Sequence, residues 1–307
     1  MEIPCLIIAY ARSVNVEKLV RDLHLQGENL FYVAIDGARS SDISKIQDDL
    51  LLRLSSLTEE LSISIKIWHR SENMGIAISV ITALDWFFSH EEFGLVLEDD
   101  LQVSSDLLGF VENSLQISDA DTVIWSGNRF FPHPESCVLS SYPATWGWAT
   151  TKRNWLLMRN SIVNFPKPKI NKLFSSDYQF WLLGALRVYL GKIDTWDIPV
   201  ALFMKNESKY SMLPPRNLVS NIGADSFASH TLISDFPIGI PVETLDVVEL
   251  DSSKIVTREY DRKLRVLVYK VKLRHFFLAP FILFEYISII FSKKTLRSRL
   301  LKLGLEH

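Results

Sequence analysis

The sequence predicts an α/β protein: an open, mostly parallel, Rossmann-like sheet flanked by helices, with a basic and apolar helical tail. Three observations carry that expectation. Short continuous apolar runs alternate with stretches of helical spacing through the first hundred residues, the signature of strands buried on both faces and joined by crossover helices. Each of the first four runs ends in a polar group, as happens where an open sheet binds a ligand at the carboxyl ends of its strands. The last fifty residues change composition, becoming apolar with basic flanks.

Taken in order, residues 4–10 (PCLIIAY) read as the first strand and end at Ala11-Arg12. Residues 15–25 form a helix with Val16, Leu19, Val20 and Leu23 on one face. Residues 31–35 form a second strand ending at Asp36-Gly37, and 41–57 an amphipathic helix. Residues 62–68 alternate, as a half-wet strand does, and lead to His69-Arg70 and Asn73-Met74-Gly75. An apolar helix over 76–89 precedes the fourth strand, Leu95-Val96-Leu97, which stops at Glu98-Asp99-Asp100. Farther on, 107–115, 152–160 and 178–190 read as helices, and 122–125 and 197–203 as strands.

The triplet Glu98-Asp99-Asp100 is the most informative chemistry. Three adjacent carboxylates at the end of a buried strand repel one another and lose hydration, so they call for a compensating cation. A divalent metal neutralised in turn by phosphates meets that need, and Mn²⁺ or Mg²⁺ is the expected cofactor. The bland reading is an acidic turn that ends the strand. A carboxylate held at a helix start can also serve as a general base. Asp177, flanked by Ser175, Ser176 and Tyr178 at the start of a helix, is the expected catalytic residue, although Asp also suits a helix N-cap. No Ser-His-Asp or Cys-His arrangement, GxGxxG or GxxxxGK loop is evident, which disfavours hydrolases, dehydrogenases and P-loop enzymes.

The ordered set PCLIIAYAR, YVAIDG, NMG and LVLEDD resembles the GT-A glycosyltransferases. So do the downstream words Ala144 to Thr150 (ATWGWAT), Ser176 to Gln179 (SDYQ) and Pro215 to Gly223 (PRNLVSNIG), over about residues 3–232. The triplet is also similar to that of the N-acetylglucosaminyltransferase I group. The resemblance implies a nucleotide-sugar donor, UDP foremost, and a sugar-binding second half. It implies Asp36 accepting from the base N–H, Arg12 near the phosphates, and Glu98 and Asp99 at the ribose. Arg70 and Asn73 join the donor site, Gly75 allows close approach of the donor, and Asp100 and His230 ligate the metal. Gly223-Ala224-Asp225-Ser226 departs from the more glycine-rich, acidic stretch of related chains.

Composition sets the remaining expectations. An apolar content of 48% and a charged content of 22% describe a folded chain long enough for a large core. Cys5 and Cys137 lack CxxC spacing, so no disulfide framework is expected and a reducing cytoplasm is the default. Residues 1–250 read as a catalytic domain, with a donor half over 1–125 and an acceptor half over 126–250. Residues 251–304 read as a membrane-associating helical segment and 305–307 as a tag scar. From Arg258 to Lys302 twelve Lys/Arg face three acids, a net +9 that leaves −12 for the rest. The apolar run 275–292 contains Pro280 and Glu285, so peripheral attachment to an anionic inner leaflet is expected rather than a span. The expected acceptor is a glycan, lipid-linked in surface-polysaccharide assembly; no nucleic-acid partner is expected. The rival readings are a nucleotidylyltransferase, whose Gly-rich first loop is missing here, and a catalytically silent scaffold.

Overall fold

The computed structural model describes residues 2–131, 136–223, 237–245, 255–256, 258–272, 275, 277–292 and 295–303. The first half follows the expected alternation. Strand β1 (Cys5–Ala9), helix α1 (Ser13–His24), β2 (Leu30–Ile35), α2 (Ser41–Leu61), β3 (Ser64–His69), α3 (Ile76–His90) and β4 (Phe93–Glu98) succeed one another. The chain continues with β5 (Leu101–Val103), α4 (Leu107–Gln116), β6 (Thr122–Ser126), β7 (Val138–Ser140), β8 (Trp148–Thr151) and α5 (Lys152–Val163). Then come α6 (Ser176–Tyr189), α7 (Asp197–Glu207), β9 (Tyr210–Leu213), β10 (Val219–Asn221), β11 (Ile255–Val256), α8 (Arg258–Lys263), α9 (Ala279–Phe291) and α10 (Leu296–Lys302).

Nine strands form one sheet in the order β11-β7-β9-β6-β8-β4-β1-β2-β3, and β5 and β10 form a separate antiparallel pair. Strands β3, β2, β1, β4, β6 and β9 run one way, and β8, β7 and β11 the other. The fold is therefore α/β with a mostly parallel sheet. Strands β1, β2 and β4 are apolar and buried on both faces, because helices cover both sides. One layer packs Leu19, Val20 and Leu23 of α1 with Leu50, Leu54 and Leu57 of α2. The other packs α3, α5 and α7, with Leu296 and Leu300 of α10, against the opposite face. Phe87 of α3 is fully buried against Gly94, where a Cβ would lie 2.3 Å from its ring. Phe87→Ala would empty that position at a cost of about 3–5 kcal/mol.

One expectation is corrected. Residues 197–203 are not a strand but the start of α7. Asp197 in the first turn and Pro199 beside it are helix-start residues, since the first N–H groups of a helix have no intrahelical acceptor and Pro lacks one anyway. The apolar run Val200-Ala201-Leu202-Phe203 is continuous because α7 is buried nearly all round. The described parts of 251–304 pack on the rest of the chain. Strand β11 pairs with β7, Tyr260, Leu264 and Val268 enter the core beside α6, and α9 packs on α6. Among the described residues no helix is long and apolar enough to cross a membrane.

Candidate active site

The loops after β1 and β4 are tied together by one carboxylate. Asp99 accepts from the N–H groups of Tyr10 (2.7 Å) and Ala11 (3.1 Å) and from the Arg12 guanidinium (2.9 Å). Its carbonyl accepts from Asn15 Nδ2, which also donates to the Leu101 carbonyl. Asp99 is 5% exposed, and its negative charge is thus met by one cation and two backbone donors. Its role is to set the shape of the edge, holding Arg12 at the triplet.

Its two neighbours differ. Glu98 and Asp100 keep partial solvent contact but lie deep in the protein. Burial, followed by the charges of Asp100, Asp99 and Asp197, holds the Glu98 carboxyl well above its usual range. Burial and Asp99 push Asp100 up to about 6, against the opposing effects of Arg12 and Asn221. Asp100 Oδ2 accepts from Asn221 Nδ2 at 3.1 Å, whereas Oδ1 is buried without a hydrogen-bond partner. Strand β10, from the PRNLVSNIG segment, forms this wall by pairing antiparallel with β5, and Ile222 N–H donates to the Asp100 carbonyl. At Gly223 a Cβ would lie 2.5 Å from Asp100 Oδ2, so only glycine leaves room for the carboxylate.

An unpartnered carboxylate oxygen beside two further acids is what a divalent cation satisfies, and the donor set fits Mn²⁺ or Mg²⁺. Asp100 would be the residue to hold such a cation, with Glu98 adjacent to it in the triplet. Among the described residues no three His, Cys, Asp or Glu side chains are grouped to enclose a metal by themselves. A hard cation held by one or two carboxylates and completed by water and phosphate oxygens needs no such cage. His230, the other expected ligand, lies outside the described residues.

The remaining expected donor residues mostly brace the edge. Asp36, 6% exposed, accepts from Met74 N–H through both oxygens (3.0 and 3.2 Å), and burial raises its carboxyl. This leaves acceptor directions open on a carboxylate that has about four. Arg70 is 8% exposed, donates to Ser79 and Thr82 of α3 and stacks on Trp68, so it faces inward rather than toward a ligand. Asn73 donates to the Gly37 carbonyl and accepts from Arg39, joining two loops. Gly75 adopts φ +77°, and a Cβ there would lie 2.6 Å from Asp194 Oδ2. Asp194 accepts from Ile76 and Ala77 N–H groups (3.0 and 3.1 Å), so the close approach at Gly75 is made by this carboxylate capping α3.

Asp177 is not brought to the triplet. Its oxygens accept from Tyr142 Oη (2.8 Å), Trp181 Nε1 (3.2 Å) and Lys205 Nζ (2.7 Å). Helix α7 ends close to where β6 and β9 begin, since Tyr210 N–H donates to the Asp121 carbonyl. Lys205, in its last turn, therefore holds Asp177 at the opposite edge of the sheet. Asp197, at the other end of α7, lies near enough to Glu98 for its charge to add to those raising that carboxyl. Eight residues of helix, about 12 Å, separate Asp197 from Lys205. Asp197 Oδ1 accepts from Thr195 Oγ1 (2.5 Å), and the adjoining Trp196 stacks on Trp148 at 5.4 Å. Trp148 belongs to ATWGWAT and lies on β8, paired with β4, so that segment anchors the turn carrying Asp197. The local signal was Trp196-Asp197-Ile198-Pro199, an acid followed two residues later by proline.

No family model matches the chain, and no curated protein does. Among solved structures it is similar to an apo UDP-glucose pyrophosphorylase, at 10% identity and a TM-score of 0.40 over 73% of this chain and 94% of that one. It is similar to a putative glucose-1-phosphate thymidylyltransferase from Bacillus anthracis in complex with a sucrose, at 11% identity and 0.38 over 72% and 89%. A third is a 4-diphosphocytidyl-2C-methyl-D-erythritol synthase from Anaerococcus prevotii, at 13% identity and 0.32 over 56% and 81%. At these scores no residue role is transferred.

Proposed function

We propose that the chain is a metal-dependent glycosyltransferase of the GT-A kind, moving a sugar with inversion from a nucleoside diphosphate sugar, UDP foremost, to a glycan acceptor. The observation that carries the reading is the unpartnered, buried Oδ1 of Asp100 beside Glu98 and Asp99. When bound, a divalent metal would supply charge neutralisation to the departing diphosphate. Asp100 would hold it, and Arg12, fixed by Asp99, would lie beside the phosphates. Asp36 would accept from the base through its open lone pairs. Asp197, rather than Asp177, would take the proton of the acceptor hydroxyl, because it has the required neighbourhood and Asp177 is occupied by three donors. Peripheral attachment of the C-terminal region to an anionic cytoplasmic leaflet, near lipid-linked acceptors, completes the reading.

Nucleotidylyl transfer stands as the second reading. In this structure the Tyr10 and Ala11 N–H groups, which a triphosphate-cradling first loop would leave open, are spent on Asp99. One experiment separates the two. Thermal unfolding is followed with UDP, GDP, CMP and UDP-sugars, with Mn²⁺ or with EDTA, and then turnover is assayed for UDP or for pyrophosphate. A ligand raises apparent stability by mass action, by about 2.7 kcal/mol at a hundredfold excess over Kd. Manganese-dependent stabilisation by UDP and UDP release support sugar transfer. Pyrophosphate release from a nucleoside triphosphate and a sugar phosphate supports the second reading, and no nucleotide shift at all supports a silent scaffold.

A further inference from the structure

Helix α9 has two unlike long faces. Ile282 (7% exposed) and Glu285 (4%) face α6, and Tyr286 Oη donates to the Pro166 carbonyl. Glu285 is the one acid of the helix and is sealed inside by two cations. Arg187 Nε lies 3.2 Å from one oxygen and Lys192 Nζ 2.5 Å from the other. On the outer face stand Phe281 (56%), Leu283 (61%), Phe284 (61%) and Ile287 (48%), a ridge about 100° or more wide with no charge on it. The Arg187 and Lys192 side chains stay about four-tenths exposed, and Lys192 also sits 5.5 Å from the Phe284 ring. Two cations on one carboxylate leave a positive margin to the ridge. Lys272 before the helix and Arg297 and Lys302 after it are exposed as well.

We infer that the outer face of α9 is a docking surface for an anionic phospholipid bilayer, the helix lying flat in the interfacial zone with Phe281, Leu283, Phe284 and Ile287 immersed. The charge pattern selects this occupant. The lone acid is turned inward and neutralised, the half-exposed Arg187 and Lys192 beside the ridge are cations, and anionic headgroups attract such a margin while acyl chains take the ridge. With 13 residues the helix is about 20 Å long, short of the roughly 30 Å a span needs. The inference deepens the membrane part of the proposed function and rests on it, but not on the transfer chemistry.

The test is flotation of the full chain with vesicles of phosphatidylglycerol and phosphatidylcholine, and of phosphatidylcholine alone. The chain is expected to float with the anionic vesicles and to stay behind with the neutral ones. The double variant Phe281→Ser/Phe284→Ser is expected to lose at least about tenfold in partitioning, with its melting temperature unchanged because both positions are exposed. Leu283→Ser/Ile287→Ser provides a second variant of the same ridge. Undiminished flotation of either folded variant, or no preference for anionic vesicles, overturns the inference. So does light scattering that shows a dimer which the variants convert to monomer without vesicle binding, since the face would then belong to a second copy. Nucleotide-dependent thermal shifts on the same samples report on the donor site separately, so failure of either reading is recognisable without the other.

Discussion

Two clusters of buried acids sit at opposite edges of one sheet, and they are built differently. At the edge where β6 and β9 begin, Asp177 has three donors, and its Lys205 partner lies 3.7 Å from the Tyr142 ring centroid. At the other edge, Glu98 and Asp100 have Arg12 as a shared distant cation, one side-chain donor in Asn221, and an orphaned Oδ1. A cluster whose charges are matched is a brace. A cluster whose charges are left unmatched is destabilised by its own burial and is relieved only by something that binds. Asp177 sits at a helix start in a cleft of about 530 Å³, with its charge already met by Lys205.

The sharpest way to break this contrast is Asp100→Ala. Loss of metal-held charge neutralisation is expected to cost several kcal/mol of transition-state stabilisation, roughly a thousandfold in turnover or more, without loss of folded stability. Turnover is read as UDP release, and wild-type rates would remove Asp100 from the site. Next comes Asp197→Asn, expected to lower kcat by about 10²–10⁴-fold while the UDP-induced thermal shift persists. Lost donor binding in that variant would make Asp197 a donor-side residue instead. Lys205→Met should act on the other cluster alone. Stranding Asp177 without its cation is expected to cost about 3 kcal/mol in urea unfolding, with nucleotide binding intact. If binding failed and stability held, the Asp177 cleft would belong to the site.

Smaller effects sharpen the picture. Gly75→Ala places a Cβ against Asp194 in a left-handed backbone conformation, and about 1–3 kcal/mol of destabilisation is expected by the same urea titration. The least effect is expected from alkylating reagents. Cys5 and Cys137 are free and buried, and burial pushes the Cys137 thiol up to about 11. Both should stay unmodified in mildly alkaline buffer until the chain is unfolded, as mass spectrometry would show.

Much of this protein is determined by the sequence alone. The succession of the first four strands, the double burial of the first, second and fourth, and the helices between them follow from the period of apolar residues, a local property of the chain. The triplet was legible for the same reason: three acids adjacent in sequence are adjacent in space wherever they lie. Tertiary structure decided what depends on distant segments meeting. Asp99 of the triplet spends itself on residues 10–12, which no spacing reveals. Arg70 turns inward because α3 offers it Ser79 and Thr82. Glu285 becomes tolerable in an apolar helix only because Arg187 on α6 and Lys192 just beyond its end wait for it. Asp177 and Asp197 both prove to begin helices, although the sequence reads 197–203 as a strand. Only the tertiary structure gave Asp177 its salt bridge with Lys205 and set Asp197 near Glu98, and burial makes what a carboxylate can do depend on which charges share its dielectric surroundings.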